Sequence, residues 1–177
     1  MTPARLPVAL LFASTVACAV PTTAFAQMTD SSVLVAGRVA TFLQPTLSGE
    51  VIAAIIYLPG AAASESQARA IERALRGGLV VGALTLRPRR VPSTSLAGLA
   101  GARVAFVTTG VNYQAVARAT ASRSILTISS DAGCTQAGHC VVTIISKPKV
   151  RIVVSKAASR AAQLRFNSGF LMLVKEI

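Results

Sequence analysis

The feature that most limits the possible folds is a near-continuous apolar run at residues 50–58, EVIAAIIYL, which Pro59 and Gly60 terminate. A strand or helix with one solvent-exposed face would show polar residues at regular intervals, and this run shows almost none. Runs of this length are typical of strands buried on both faces of a parallel sheet. The run therefore predicts a sheet that helices cover on both sides.

The segments on either side of this run alternate between helix and strand patterns. Residues 32–43 have helical spacing, with Ser31 or Ser32 as the candidate N-cap. The clearest helix covers residues 64–76, where Ser64 and Gln67 have the spacing of a capping box. Further strands are predicted at residues 80–86, 102–108 and 124–129, and a further helix at residues 113–122.

The C-terminal third has a different pattern. Two β-branched runs, residues 141–146 and 150–155, are separated by Lys-Pro-Lys, and this arrangement predicts an antiparallel hairpin. Residues 156–163 and 170–177 read as helices. The sequence thus predicts a single α/β domain: a sandwich with a mostly parallel sheet, helices on both faces, a C-terminal antiparallel hairpin and a terminal helix.

The first residues predict export. Arg5 precedes an apolar run at residues 6–20, and Ala24 and Ala26 occupy the positions that a signal peptidase reads. We therefore expect a signal peptide at residues 1–26, a mature domain at residues 27–177 and a periplasmic location with no integral membrane span. Lipidation of Cys18 is the alternative, although Thr15 stands where lipoprotein signals usually have an aliphatic residue.

The chain is strongly basic, with a formal net charge of +12. Export argues against a nucleic-acid target, so the charge favours acidic partners or anionic surfaces. Arg87, Arg89 and Arg90 lie in a segment that reads as a stiff, charged connection containing two prolines. These three cations are the candidate partner-binding residues, and an ordinary solvated loop is the alternative.

Catalytic and ligand-binding signals are sparse. The chain has six acidic residues and one histidine, with no phosphate-binding glycine motif and no nucleophile motif around a serine. We expect no enzymatic activity and no cofactor. In a parallel sheet the residues after the strand ends face a ligand, which makes Asn112, Ser130 and Asp131 the candidate ligand-binding residues. Turn and cap roles are the alternative for all three.

The segment DAGCTQAGHC contains two of the three cysteines and the only histidine. A zinc site would need four ligands, and Asp131 is the only further candidate near His139. Two cysteines this close in an oxidising compartment are expected to pair, so we predict a disulfide between Cys134 and Cys140. The bridge would be either structural or, if exposed on a small loop, sensitive to reduction.

The last third of the chain also resembles the YfiR/HmsC family of periplasmic proteins. The resemblance lies in the segment LTIS followed by Asp131, in Gly138 before an apolar strand, in the second strand of the hairpin, and in the apolar residues Ala157, Ala158, Leu164 and 171–173. It implies an exported regulator that binds and represses the periplasmic part of a membrane diguanylate cyclase. Some members have a disulfide in this region, in agreement with the predicted pair.

Parts of the chain depart from the family pattern. Members usually have an aromatic stretch ending in Trp-Pro in the first helix, whereas this chain keeps Phe42 and Pro45 and has no tryptophan. Lys175 and Glu176 replace small apolar residues, and the arginine-rich segment has no counterpart. The resemblance therefore leaves open whether the partner is a cyclase.

A second resemblance gives a different class of function. The order of elements from the Pro59-Gly60 turn to LAGLAGARVAFVTTG and ILTISSD is similar to one lobe of a periplasmic solute-binding protein. Such proteins close two lobes on a ligand, so this chain would need a partner or a homodimer to capture a solute of an ABC transporter.

Overall fold

The structure is a computed structural model that describes residues 28–146 and 149–177. The predicted signal peptide, Cys18 and the centre of the predicted hairpin turn lie outside these residues. Within them the helices are α1 (Asp30–Thr41), α2 (Ala62–Ala74), α3 (Tyr113–Ala121), α4 (Ala132–Gln136), α5 (Lys156–Ala161) and α6 (Ser168–Leu171). The strands are β1 (Leu43–Gln44), β2 (Gly49–Tyr57), β3 (Leu79–Val81), β4 (Leu84–Pro92), β5 (Ala102–Val107), β6 (Leu126–Ser129), β7 (Val142–Ile145), β8 (Arg151–Val154), β9 (Arg165–Phe166) and β10 (Lys175–Glu176).

Eight strands form one sheet in the order β10-β8-β7-β6-β5-β2-β4-β3. Neighbouring strands are parallel except at β3–β4 and β7–β8. The predicted mostly parallel sheet and the predicted antiparallel hairpin at residues 141–155 are thus confirmed. No helix in the described ranges is long and apolar enough to cross a membrane.

Two apolar cores explain the continuous apolar run at residues 50–58. Ala53 and Ile55 of β2 pack into a core beneath α1 and α2, whereas Ala54 and Ile56 pack into a second core that includes Val116 of α3. Successive side chains of a strand point to opposite faces, so a strand covered on both faces needs apolar residues at every position. Helices on both faces are confirmed.

The helix starts differ in detail from the prediction. Helix α1 begins at Asp30 and its N-cap is Thr29, whose Oγ1 accepts a hydrogen bond from the Ser32 N–H at 3.3 Å. Neither Ser31 nor Ser32 is the cap. Helix α2 begins at Ala62 after Ala61, which has no capping side chain. The predicted capping box of Ser64 and Gln67 is therefore wrong, because both side chains are buried beneath the helix.

The arginine-rich segment is a strand and not a connection. Strand β4 runs from Leu84 to Pro92 and pairs with β2 along its whole length, while a tight turn joins it to β3. The predicted single strand at residues 80–86 is therefore two antiparallel strands. The apolar residues Leu84 and Leu86 alternate with polar ones and face the core, and the same strand continues into the arginines because β2 supplies backbone partners.

The C-terminus also differs from the prediction. Residues 170–177 do not form a terminal helix: α6 ends at Leu171, and β10 joins the sheet beside β8. The Ile177 N–H donates to the Val154 carbonyl, and the Lys156 N–H donates to the Ile177 carbonyl, both at 2.9 Å. A short helix cannot satisfy the outer backbone groups of β8, whereas an extended chain can.

Candidate functional site

Buried polar side chains meet where β2, β5 and β6 end, at the carboxyl edge of the sheet. Gln67 of α2 is at the centre. Its Nε2 donates to Ser130 Oγ at 2.7 Å, and its Oε1 accepts from the Thr109 N–H at 2.9 Å. One amide group therefore joins α2 to the ends of two neighbouring strands.

A second set of hydrogen bonds ties the same helix to β2. The Leu58 N–H donates to Ser64 Oγ at 2.8 Å, and Ser64 Oγ lies 2.6 Å from Thr108 Oγ1. Thr108 Oγ1 in turn donates to the Ile56 carbonyl at 2.9 Å. Glu65 accepts from the Gly60 N–H at 2.9 Å. The chain thus supplies its own partners to polar groups that could face a ligand at a sheet edge of this type.

The candidate ligand-binding residues lie at this edge, each with an internal role. Asn112 is exposed and caps α3 by accepting from the Ala115 N–H at 3.0 Å, which is the alternative role that its sequence position allowed. Asp131 caps α4 through the Gly133 N–H at 2.8 Å and accepts from the Tyr113 hydroxyl at 2.8 Å. Ser130 is buried and accepts from Gln67. A ligand role for the three stays a prediction.

Tyr113 titrates abnormally in this setting. Burial raises the pKa of Tyr113 above its ordinary value, the hydrogen bond and the negative charge of Asp131 raise it further, and a backbone hydrogen bond at Gly110 acts in the opposite direction. Loss of the proton would remove the donor of the bond to Asp131 and bring two negative charges together. The hydroxyl therefore stays protonated as a donor at neutral pH.

The raised pKa of Tyr113 makes stability depend on pH in the alkaline range. A group whose pKa is higher in the folded state contributes stability that is complete below its unfolded pKa of about 10 and is lost above it. We expect the urea midpoint of the wild type to fall more steeply above about pH 10 than that of Tyr113→Phe. Parallel curves from neutral to alkaline pH would contradict the role of the Tyr113–Asp131 bond.

The predicted disulfide is present between Cys134 and Cys140, with a Cα–Cα distance of 5.2 Å. Both cysteines are fully buried in the second core, so the premise of an exposed bridge is wrong. Cys134 lies in α4, and the His139 and Cys140 N–H groups both donate to its carbonyl, at 2.9 and 3.1 Å. In the described part of the chain no three His, Cys, Asp or Glu side chains are grouped to hold a metal ion.

The three candidate partner-binding arginines do not form one patch. Arg87 donates to Glu50 Oε1 through Nε and Nη2, at 3.1 and 2.6 Å, and Arg89 donates to the Ala100 carbonyl. Arg90 points to the opposite face of β4, and its guanidinium carbon lies 4.2 Å from the centre of the Tyr57 ring. The side chains are therefore engaged within the domain, and partner binding by them stays a prediction.

Sequence reasoning missed the central residues of the polar edge, Gln67 and Thr108. A signal was available, because Ser64 and Gln67 continue the helical stripe formed by Ala68, Ile71 and Leu75. Polar residues on the buried stripe of a helix need buried partners, and strand ends offer them. The capping-box pattern assigned the pair to local hydrogen bonds instead.

The fold and the site together define a single-domain α/β protein with a disulfide-pinned C-terminal hairpin and an internally hydrogen-bonded sheet edge. The sequence profile of the YfiR/HmsC-like family matches residues 55–175, more than half of the chain. The chain belongs to the YfiR/HmsC-like family. This is a family of regulatory, non-catalytic, periplasmic proteins that interact with a membrane sensor.

Two solved structures are similar in fold. One is the ligand-free, open form of a substrate-binding protein with adhesive properties from Clostridium difficile, at 11% identity and a TM-score of 0.61. The other is a conserved domain protein from Vibrio cholerae, at 9% identity and a TM-score of 0.60. The matches cover 84% and 83% of this chain but 59% of each of those chains. No curated protein matches the chain in sequence.

Proposed function

We propose that this protein is an exported regulator that binds the periplasmic sensor part of a membrane diguanylate cyclase and holds the enzyme inactive. The observation that carries the proposal is the family match over residues 55–175. The mechanism is occupancy: the regulator binds the inactive state of the sensor more tightly, and its release lets cyclic-di-GMP synthesis resume. This function is consistent with biofilm control.

The internal hydrogen bonds at the carboxyl edge support a protein-binding role over solute capture. A solute would have to displace contacts such as Gln67–Ser130 and Ser64–Thr108. Each buried bond left unmade costs on the order of 1–3 kcal/mol. A regulator that binds through its surface leaves these contacts intact.

A solute-binding lobe is the second candidate, because the fold is similar to that of a substrate-binding protein. This chain spans 59% of that protein, so closure on a ligand would need a partner or a homodimer. A ligand that binds the folded state raises the melting temperature with concentration. Thermal shifts with a solute panel would favour this candidate if one solute stabilised the wild type and not Asp131→Ala.

The proposed function predicts that deleting the gene raises cellular cyclic-di-GMP. Complementation with the wild type should restore the low level, because the sensor is again occupied. A signal-peptide deletion is the matched control, since it leaves the amino-acid sequence of the mature domain unchanged but keeps the domain from the compartment of the sensor. Unchanged cyclic-di-GMP in the deletion strain would contradict the proposal.

A further inference from the structure

Exposed apolar side chains concentrate at the C-terminal edge of the sheet. Met172 and Leu173 are 87% and 84% exposed, and Val150 and Ile177 are also among the exposed large apolar residues. They account for four of the seven such residues in the described ranges. Contiguous exposed apolar groups mark interaction surfaces more often than scattered ones do.

The backbone at this edge is available for pairing. Strand β10 pairs with β8 and with no other strand among the described residues. Ile177 directs its N–H and carbonyl toward β8, and the register places Glu176 opposite Val154. Backbone groups of successive strand residues point to opposite sides, so the Glu176 N–H and carbonyl point away from the sheet.

A groove lies on each face of this edge. One has a volume of about 460 Å³ and is lined by Leu173, Lys175 and Ile177, alternate residues in and beside β10, together with Val150 and Arg151. Its wall includes Ala132 and Gln136 of α4, the helix that the disulfide holds. The lining is mostly apolar, with two cations and no acidic residue.

The groove on the other face is also lined by apolar and cationic side chains. It has a volume of about 360 Å³, and Leu164 and Phe166 are part of its apolar floor. The cations Lys156, Arg160 and Arg165 line it. Its one carboxylate, Glu176, is 3.6 Å from Lys156 and is neutralised by it.

On the other side of the sheet, the stretch of β4 that β3 leaves uncovered is protected in a way that β10 is not. Residues 87–92 of β4 pair with β2 alone within the described structure, and this stretch contains Pro88, Pro92 and three arginines. Proline and charge on an edge strand prevent pairing with another chain. Strand β10 contains no proline and lies between two apolar grooves.

We propose that β10 is a docking edge for an extended segment of another protein, which adds a strand to the sheet and carries both apolar and acidic side chains. Side chains of an added strand alternate between the two faces, so they would enter the two grooves in turn. The proposal rests on the proposed function, and it names the surface and the chemistry by which the partner is bound.

The positive charge of the two grooves favours an acidic partner over a second copy of this chain. The grooves have five cations and one paired carboxylate, and the whole chain has a net charge of +12. Two copies joined at β10 would bring these cations together, and like charges across an interface suppress association. An acidic segment meets opposite charge on both faces.

The test uses a fluorescein-labelled, end-blocked peptide of repeating Val-Val-Glu-Glu, which offers one apolar and one acidic residue to each groove. Glu176→Pro removes the outward N–H without removing a bond inside the sheet, and Glu176→Ala is the matched control that removes the same carboxylate. We expect anisotropy to show binding to the wild type and to Glu176→Ala, and binding weaker by about tenfold or more to Glu176→Pro. Lys175→Glu and a Val-Val-Lys-Lys peptide should also abolish binding.

Equal peptide affinity of Glu176→Pro and Glu176→Ala would overturn the proposal, as would no binding to the wild type. Equal melting temperatures of the two variants would show that weaker binding to Glu176→Pro does not come from a loss of fold. A wild-type dimer in sedimentation that Glu176→Pro dissociates would also overturn it, since a second copy would then cover the edge. Measurements of cellular cyclic-di-GMP distinguish a failure of the docking edge from a failure of the proposed function. Repression by Glu176→Pro equal to that by Glu176→Ala refutes the docking edge alone, whereas no rise on gene deletion refutes the proposed function alone.

Discussion

Serine at both Cys134 and Cys140 is expected to lower the free energy of unfolding by about 2–4 kcal/mol. The bridge spans a sequence separation of 6, and closing so short a loop is worth about 2 kcal/mol in the chain-entropy description. Both positions are fully buried in an apolar core, where two serine hydroxyls add a desolvation cost. Urea unfolding of the oxidised wild type and the double variant measures the difference.

Alanine at both positions is the matched control. It removes the covalent bond without burying hydroxyl groups, so the difference between the two double variants measures the desolvation cost of the hydroxyls. Because α4 forms a wall of the groove beside β10, both variants should also weaken binding of the acidic peptide. Unfolding energies within about 0.5 kcal/mol of the wild type would contradict a stabilising role for the bridge.

Gln67→Leu is expected to destabilise the domain by about 2–4 kcal/mol, although leucine is apolar and of similar size. The change leaves the Thr109 N–H and the Ser130 hydroxyl without their bonds to the amide. Buried polar groups that lose a partner cost more than the bond itself contributed. Thermal or urea unfolding checks the expectation, and the slope of the urea curve shows whether the native state stays compact.

A double-mutant cycle gives the control for Gln67. Ser130→Ala in the Gln67→Leu background removes one of the two groups that lost their bond to the amide, so the double variant should be less destabilised than the sum of the single variants. Strict additivity would contradict direct coupling between the two side chains. Gln67→Leu should have little effect on the acidic peptide, because the carboxyl edge and the β10 edge are separate surfaces.

The fold class could be predicted from the sequence because its causes are local. The run at residues 50–58 is apolar at almost every position, has the length of a strand and ends at Pro59 and Gly60, which is typical of a strand buried on both faces. The β-branched runs on either side of Lys-Pro-Lys likewise predicted β7 and β8. The disulfide followed from compartment and spacing, since two cysteines near each other in an oxidising space pair without help from the fold.

Two features could not be predicted in this way: the buried polar residues at the carboxyl ends of the strands, and the strands that lie at the two sides of the sheet. Ser64 and Gln67 match a capping box, and only the position of α2 against the ends of β5 and β6 turns them inward. The arginines of β4 read as a connection until β2 provides the backbone partners that make them a strand. Their spread over two faces is a consequence of that pairing.

The sequence alone determined which segments must be buried, because apolar side chains leave water wherever they lie in the chain. Tertiary structure decided which backbone groups those segments satisfy. Residues 170–177 have enough apolar residues for a helix, but the outer side of β8 needs hydrogen-bond partners, and the chain becomes β10 to supply them. That pairing is non-local, so only the tertiary structure places β10 at one edge of the sheet.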